Sequence, residues 1–272
     1  MAYKAFDLTG RTVVVTGGNG GIGLGLARGV ARAGARVAIW ARDRDKTDAA
    51  TKELGQLGAE AAGFACDVSR EEDVARCLAE TVERFGPVHA GFANAGFATS
   101  HDALEMTIAQ WRAVTSVNLD GTFLTLRDLA RHMVESGTAG KLVAVSSMVE
   151  HFGSPNQPHY AASKGGVGAL VRSLAVRLGR HGIQVNSLEP GWIETDATRL
   201  LYESQRFSEA VTRRTPLRRW GEPADLEGIA AYLASDEPAF HPGDSIRLDG
   251  GYSIFSPLVS PRVPHARSRR AL

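Results

Sequence analysis

The sequence predicts an α/β fold: a single domain built on a doubly wound parallel sheet with helices on both faces. Three observations predict it. Short apolar, β-branched runs recur along the chain. Helical periodicity separates each run from the next, and a connection of that length joins parallel strands by a right-handed crossover. No internal linker breaks the alternation, so the elements read as layers around one sheet.

The first strand is expected at 11–16 (RTVVVT), a β-branched run that stops at glycine and suits burial on both faces. A helix follows over 21–33, with Ile22, Leu26, Val30 and Ala33 on one side. Gly34-Ala35 closes it, and 36–41 (RVAIWA) is the second strand. A polar helix over 43–57 leads to a third strand at 61–66. Ser69-Arg-Glu-Glu72 has the capping-box pattern and predicts a helix from there to Phe85. Gly86-Pro87 ends it, and 88–93 is strand four. Helical pattern returns over 104–118 and 121–135. Strand five is 141–146 (KLVAVS), followed by a helix that carries Tyr160 and runs to about 180. Strand six is 183–188, ending at Pro190-Gly191. Residues 195–235 read as interrupted helix, and 245–248 as a last short strand.

The bulk composition narrows the function. The chain has 272 residues, 43% of them hydrophobic, which is enough for one full core. A formal net charge of +1 excludes general nucleic-acid binding. Cys66 and Cys77 form no C-x-x-C pair or His/Cys cluster, so no zinc site is expected and both read as small apolar residues. The N-terminus lacks a signal-peptide core and no segment is apolar enough to span a membrane. A cytoplasmic protein with no membrane partner is the expectation.

Thr16-Gly17-Gly18-Asn19-Gly20-Gly21-Ile22-Gly23 lies where the first strand turns into its helix. Phosphate oxygens approach backbone N–H groups closely only where no Cβ obstructs them. The helix N-terminus adds partial positive charge. The turn therefore suits a dinucleotide, with a purely structural glycine turn as the alternative. Its spacing, T-G-x-x-x-G-x-G, differs from the common G-x-G-x-x-G.

Tyr160 and Lys164 lie four residues apart on one helix face. A free phenol, with a pKa of about 10, is a poor acid–base catalyst near neutrality. A neighbouring ammonium favours phenolate and is expected to lower that value. The Ser147 hydroxyl would hold a substrate oxygen against the phenol. This is machinery for moving a proton on or off a carbonyl or carbinol oxygen, and it needs no metal.

Taken together, these residues resemble the short-chain dehydrogenase/reductase family. Thr16-Gly17-x-x-x-Gly21-x-Gly23 has that family's cofactor-turn spacing, and Asn94-Ala95-Gly96 its Asn-Ala-Gly segment. Asn118, Ser147, Tyr160 and Lys164 fall where it carries a catalytic tetrad. Pro190-Gly191 and Thr195 match its stretch beside the nicotinamide. The resemblance covers about 8–255 and implies a Rossmann sheet of seven parallel strands. It implies a dinucleotide-binding catalytic domain over 1–255, with a helical substrate lid at about 195–220. Cofactor contacts are implied at Gly17, Asn19, Gly21, Ile22, Gly23, Asp67, Val68, Asn94, Gly96, Tyr160, Lys164, Pro190, Gly191, Ile193 and Thr195. The implied reaction is hydride transfer between NADP(H) and a ketone or secondary alcohol, with Tyr160 as general acid/base. Asn118 resembles the residue whose main chain holds a water in a relay to the lysine.

Two features bear on the cofactor. Strand two ends at Ala41, where relatives that prefer NAD usually carry aspartate, and Arg42 follows. An arginine there favours a 2′-phosphate, so the sequence leans to NADP. Asp43 next door keeps NAD open as the alternative, or else caps the following helix. Substrate-lining candidates are Phe97, His151, Phe152 and Trp192, with Ala98, Val149, Glu150 and Ile193 nearby. His151 reads either as an exposed loop residue or as a bond to a substrate oxygen. The small residues of the Tyr160 helix (Ala161, Ala162, Gly165, Gly166, Gly168, Ala169) suit close packing, and the resemblance implies a homotetramer through that helix and the one before it. The Pro/Arg-rich stretch 256–272 is expected to be a disordered tail. A methyltransferase on a similar sheet and a non-catalytic dinucleotide sensor are the competing readings; neither needs Ser147, Tyr160 and Lys164 together.

Overall fold

A computed structural model describes residues 4–237 and 239–256, and the expected tail at 257–272 lies outside them. Seven parallel strands form one sheet: β1 (Thr12–Thr16), β2 (Arg36–Ala41), β3 (Ala61–Ala65), β4 (Val88–Ala93), β5 (Lys141–Val145), β6 (Gln184–Pro190) and β7 (Ser245–Leu248). Their spatial order is β3-β2-β1-β4-β5-β6-β7. The order reverses between β1 and β4, which opens a crevice at their carboxyl ends.

Helices cover both faces: α1 (Gly21–Arg32), α2 (Arg44–Gln56), α3 (Glu71–Phe85), α4 (Ile108–Thr115), α5 (Gly121–Glu135), α6 (Pro158–Leu178), α7 (Arg199–Glu203), α8 (Gln205–Arg214) and α9 (Glu227–Ala234). The central strand β1 is buried along its whole length. Its side chains alternate between the faces, as a pleated strand requires. Val13 and Val15 pack with Leu26, Val30 and Leu233 on one side. Val14 packs with Val74, Leu126 and Leu129 on the other. Each large aliphatic chain buried this way contributes about 1.5–3 kcal/mol. The glycines of α1 let it touch its neighbour backbone to backbone: a Cβ on Gly25 would lie 2.2 Å from the Pro223 carbonyl oxygen, and one on Gly29 2.2 Å from that of Glu227.

Two helix starts differ from expectation. Ser69 does not cap α3, which begins at Glu71 after Arg70. The Ser69 hydroxyl donates instead to Asp67 Oδ1 at 2.7 Å. The helix expected from Leu104 starts at Ile108. Thr107 caps it, accepting from Gln110 N while the Gln110 side chain accepts from Thr107 N. Leu104 is left 96% exposed in the turn before it. Among the described residues no helix is long and apolar enough to cross a membrane.

Candidate active site

The glycine turn sits at the carboxyl end of β1. Gly17 (φ +63°) and Gly21 (φ +49°) adopt left-handed backbone that side chains rarely tolerate. The Gly17 N–H is taken by the Trp40 carbonyl at 2.8 Å, which ties the turn to β2. A Cβ on Gly23 would lie 2.1 Å from the Gly17 carbonyl oxygen, so only glycine fits. Gly20 precedes α1 as its N-cap and offers no side chain to the first N–H groups. The turn borders a cavity of about 470 Å³, lined by Asn19, Gly20, Gly21, Lys46, Glu53 and Thr195 among others. A glycine cradle, open amide donors and a helix N-terminus together fit a pyrophosphate.

Asn94 locks the turn to β4. Its Nδ2 donates to the carbonyls of Thr16 (2.9 Å) and Gly17 (3.3 Å). Thr16 Oγ1 in return accepts from the N–H groups of Asn94 and Ala95, both at 2.9 Å. Asn19 donates from Nδ2 to the Asp43 carbonyl and the Thr47 hydroxyl, joining the turn to α2. Ile22 packs against the core beside them.

At the end of β2, Arg42 is exposed and makes no ion pair among the described residues. Asp43 acts as the N-cap of α2, its carboxylate accepting from Lys46 N. The Asp67 carboxylate is engaged by Ser69, and Val68 is buried against Gly121.

The four residues expected to carry proton chemistry come together at the carboxyl edge of β4 and β5. Asn118 lies in a π-turn, Ser116–Asp120, between α4 and α5, and is fully buried. Its side chain accepts from Phe97 N (3.0 Å) and donates to the Phe97 carbonyl (2.9 Å). Its own carbonyl accepts from Thr122 Oγ1 at 2.8 Å. Gly96 separates Asn118 from Lys164: a Cβ there would lie 3.0 Å from Asn118 Oδ1 and 3.7 Å from Lys164 Nζ. Ser163 links the set from below, donating to the Tyr160 carbonyl at 2.7 Å and accepting from Asn118 Nδ2.

Ser147 lies two residues past β5, where its hydroxyl accepts from Val149 N and stands beside the Tyr160 phenol. Lys164 is buried, and its Nζ donates to the Val145 carbonyl at 2.7 Å while lying 5.7 Å from the Tyr160 ring centre. The electrostatics differ from expectation. Burial pushes the Tyr160 phenol above its ordinary value, and the Ser147 hydrogen bond pulls the other way. Burial, and not the neighbouring ammonium, sets the direction at Tyr160, and burial also brings Lys164 down to about 8. Desolvation disfavours the charged form of each group, which raises a phenol and lowers an ammonium.

β6 ends at the buried Pro190. The Gly191 N–H is held by the Leu248 carbonyl at 2.9 Å, and a Cβ on it would meet Asp249 Cα at 2.6 Å. Ile193 is buried and bridges to Gly221. Thr195 packs its methyl over Gly21, where a Cβ would lie 3.0 Å away. It does not cap the following helix: Thr198 precedes α7, and its Oγ1 accepts from Thr195 N. Phe97 and Phe152 are 36% and 37% exposed, and Trp192 stands in an aromatic group with Phe207, Trp220 and Tyr252. His151 is an exposed loop histidine, as one of the two expectations had it, and it has a carboxylate partner. Its Nε2 lies 3.1 Å from both carboxylate oxygens of Glu189. Sequence reasoning missed Glu189, although a carboxylate inside the apolar strand β6 was the available signal. It also missed Tyr252, whose neighbours Trp192 and Arg214 are distant along the chain.

A phosphate-cradling glycine turn beside a serine, a phenol and a buried lysine defines a nicotinamide-dinucleotide oxidoreductase site on this kind of sheet. The comparisons agree. The family model described as Enoyl-(Acyl carrier protein) reductase matches residues 17–253. The chain belongs to that family, within the short-chain dehydrogenases/reductases that its motifs resemble, and is an oxidoreductase acting on CH–OH or C=O groups. It is 35% identical over 249 residues to a 5-keto-D-gluconate 5-reductase of Escherichia coli (strain K12), covering 92% of this chain and 98% of that protein. It is 38% identical over 248 residues to an L-rhamnose 1-dehydrogenase (NAD(P)(+)) of a Sphingomonas species, covering 91% and 98%. The crystal structure of a gluconate 5-dehydrogenase from Burkholderia cenocepacia J2315, in complex with NADP and tartrate, superimposes with a TM-score of 0.89 at 34% identity, covering 94% of this chain and all of that one.

Proposed function

We propose that this protein interconverts a ketone and a secondary alcohol of a small carbohydrate-like substrate, uses NADP(H) in preference to NAD(H), and moves the proton with Tyr160. The observation that carries the reading is that Ser147, Tyr160 and Lys164 come together at the end of β5, with Lys164 buried one helical turn from Tyr160. The nicotinamide supplies or accepts the hydride. In reduction, the Tyr160 hydroxyl gives its proton to the oxygen that gains charge; in oxidation, the phenolate removes the alcohol proton. Ser147 donates to the same oxygen and polarises it. Lys164 hands Tyr160 its next proton and holds the nicotinamide ribose, and the Asn118 main chain holds a water that feeds it. Gly17, Gly21, Gly23 and Asn19 form the pyrophosphate turn. Asp67 and Val68 meet the adenine; Asn94, Gly96, Pro190, Gly191, Ile193 and Thr195 surround the nicotinamide. Phe97, His151, Phe152 and Trp192 line the substrate side, and α7 and α8 form the lid.

The NADP preference is supported by Arg42, exposed and unpaired among the described residues, while Asp43 is occupied as a helix cap. The substrate class is supported by the relatives, which are named for gluconate derivatives and rhamnose. Homotetramer assembly through α5 and α6 is supported by apolar side chains on their outer faces: Phe123, Val134 and Val176 are 41%, 39% and 87% exposed. The protein would work in the cytoplasm. The test is reduced-nicotinamide absorbance with a panel of sugar acids, polyols and ketones, run on the parent and on Tyr160→Phe. The reading requires parent turnover and a variant that binds cofactor but is about a thousandfold slower. A variant within threefold of the parent refutes it.

A further inference from the structure

Most arginines around the lid are paired or face water. Arg199 pairs with Asp196 and Arg219 with Asp225, and Arg213 is exposed. Arg214, the last residue of α8, is different. It is half-buried and has no acidic partner among the described residues. Its guanidinium carbon lies 4.3 Å from the Tyr252 ring centre and 5.7 Å from that of Phe152. Its Nε is buried with no hydrogen-bond acceptor among the described residues.

The surroundings place this cation on the substrate side. Phe152 belongs to the loop that begins at Ser147. Tyr252 follows β7 and lies 6.4 Å, ring to ring, from Trp192, which follows Pro190-Gly191. All three loops leave carboxyl ends of strands, where this kind of sheet binds its ligands. Trp192 Nε1 is a second buried donor without an acceptor in the same aromatic group. Contact with ring faces holds a guanidinium in place while leaving its in-plane N–H groups unspent. A cation and an indole N–H that both flank the Tyr252 ring, with no acceptor among the described residues, call for an acceptor-rich, negatively charged ligand, and a carboxylate matches the guanidinium fork.

We propose that Arg214 anchors a substrate carboxylate, so that the site takes sugar acids and other short hydroxy acids in preference to neutral polyols. This rests on the redox reading above. It deepens that reading by assigning the charge of the substrate and the residue that selects it.

The experiment compares kcat/KM for aldonates of four to six carbons with kcat/KM for the alditols of matching configuration, with NADP and with NAD. The parent is expected to favour aldonates at least tenfold. Arg214→Gln should cut the aldonate-to-alditol ratio about ten- to a hundredfold, chiefly through KM, and Arg214→Lys should restore part of it. Tartrate should inhibit the parent competitively against an aldonate, with a Ki that rises with salt. That arm stands even if the variants fail to fold. A parent that prefers alditols, a ratio within threefold of the parent in Arg214→Gln, or a salt-independent tartrate Ki would overturn the proposal while leaving the redox reading in place. No turnover of any compound with either cofactor would overturn both.

Discussion

The Lys164 ammonium donates to the Val145 carbonyl at 2.7 Å and so ties α6 to the end of β5. That bond is made by a charge buried out of water, and burial lowers the lysine from its ordinary 10.5 to about 8. The unfolded chain therefore binds a proton more readily than the folded one between these values. Stability must rise with pH across that window. The whole difference is about 3 kcal/mol, an order-of-magnitude figure. Lys164→Met removes the titration. The parent's unfolding free energy, measured against that of the variant, is expected to climb from pH 8 to about pH 10.5 and to be flat below pH 8. Parallel curves throughout would show that Lys164 titrates normally.

Tyr160 couples pH to the direction of the reaction. Burial raises its phenol and the Ser147 hydrogen bond restrains the rise. Oxidation requires the phenolate, so its rate should increase with pH while the rate of reduction declines. Ser147→Ala deletes the restraint. Its oxidation limb should move to higher pH, in addition to a loss of about ten- to a hundredfold in kcat from the missing hydroxyl. A limb unmoved, or moved to lower pH, would show that the serine does not tune the phenol.

The parts of this arrangement that were legible in the sequence are those encoded locally. β2 and β4 read directly as apolar runs, because central strands covered on both faces need no alternation. The glycine turn was legible for a similar reason: its spacing is dictated by backbone contacts within a few residues. Helix starts were less so. Ser69 had a competing acceptor in Asp67, and Thr107 had a capping box that the apolar pattern beginning at Leu104 obscured. The direction of the Tyr160 shift could not be read from its spacing to Lys164. It depends on how far α6 is buried against β5, which is a tertiary quantity. The same holds for Glu189, fully buried, whose partners His151 and Arg247 come from the loop after β5 and from the neighbouring strand β7.

Gly168 provides a test of packing apart from chemistry. A Cβ there would lie 1.8 Å from Glu150 Oε1, and the Glu150 carboxylate is held in place by the Ser146 hydroxyl at 2.8 Å. Ser146 also donates to the Lys164 carbonyl. Gly168→Ala must displace Glu150 or shift α6. A loss of about 1–3 kcal/mol is expected, the usual cost of overpacking, read as a lower denaturation midpoint. Gly165→Ala, on the same helix with nothing within 4 Å of its Cβ, should be neutral or slightly stabilising. Equal effects at the two positions would contradict this account of the helix.

Gly23 and Arg42 separate cradle from selectivity. Gly23→Ala sets a methyl against the Gly17 carbonyl oxygen and Asn94 Nδ2, at 2.1 and 2.5 Å before relaxation. Backbone cannot swing aside as a side chain can, so the turn itself must open. Affinity for NADP and for NAD should fall together, by tenfold or more, along with stability. Arg42→Asp leaves the turn intact and reverses the charge proposed to meet the ribose. A charge-assisted hydrogen bond is worth about 1.5–3 kcal/mol, so the KM for NADP should rise roughly ten- to a hundredfold. The KM for NAD should hold or improve, since a carboxylate at that place accepts from ribose hydroxyls and repels a 2′-phosphate. Initial-rate measurements with both cofactors on both variants discriminate the two effects. If Arg42→Asp leaves the KM for NADP unchanged, Arg42 does not select the cofactor and the preference must be sought at another residue.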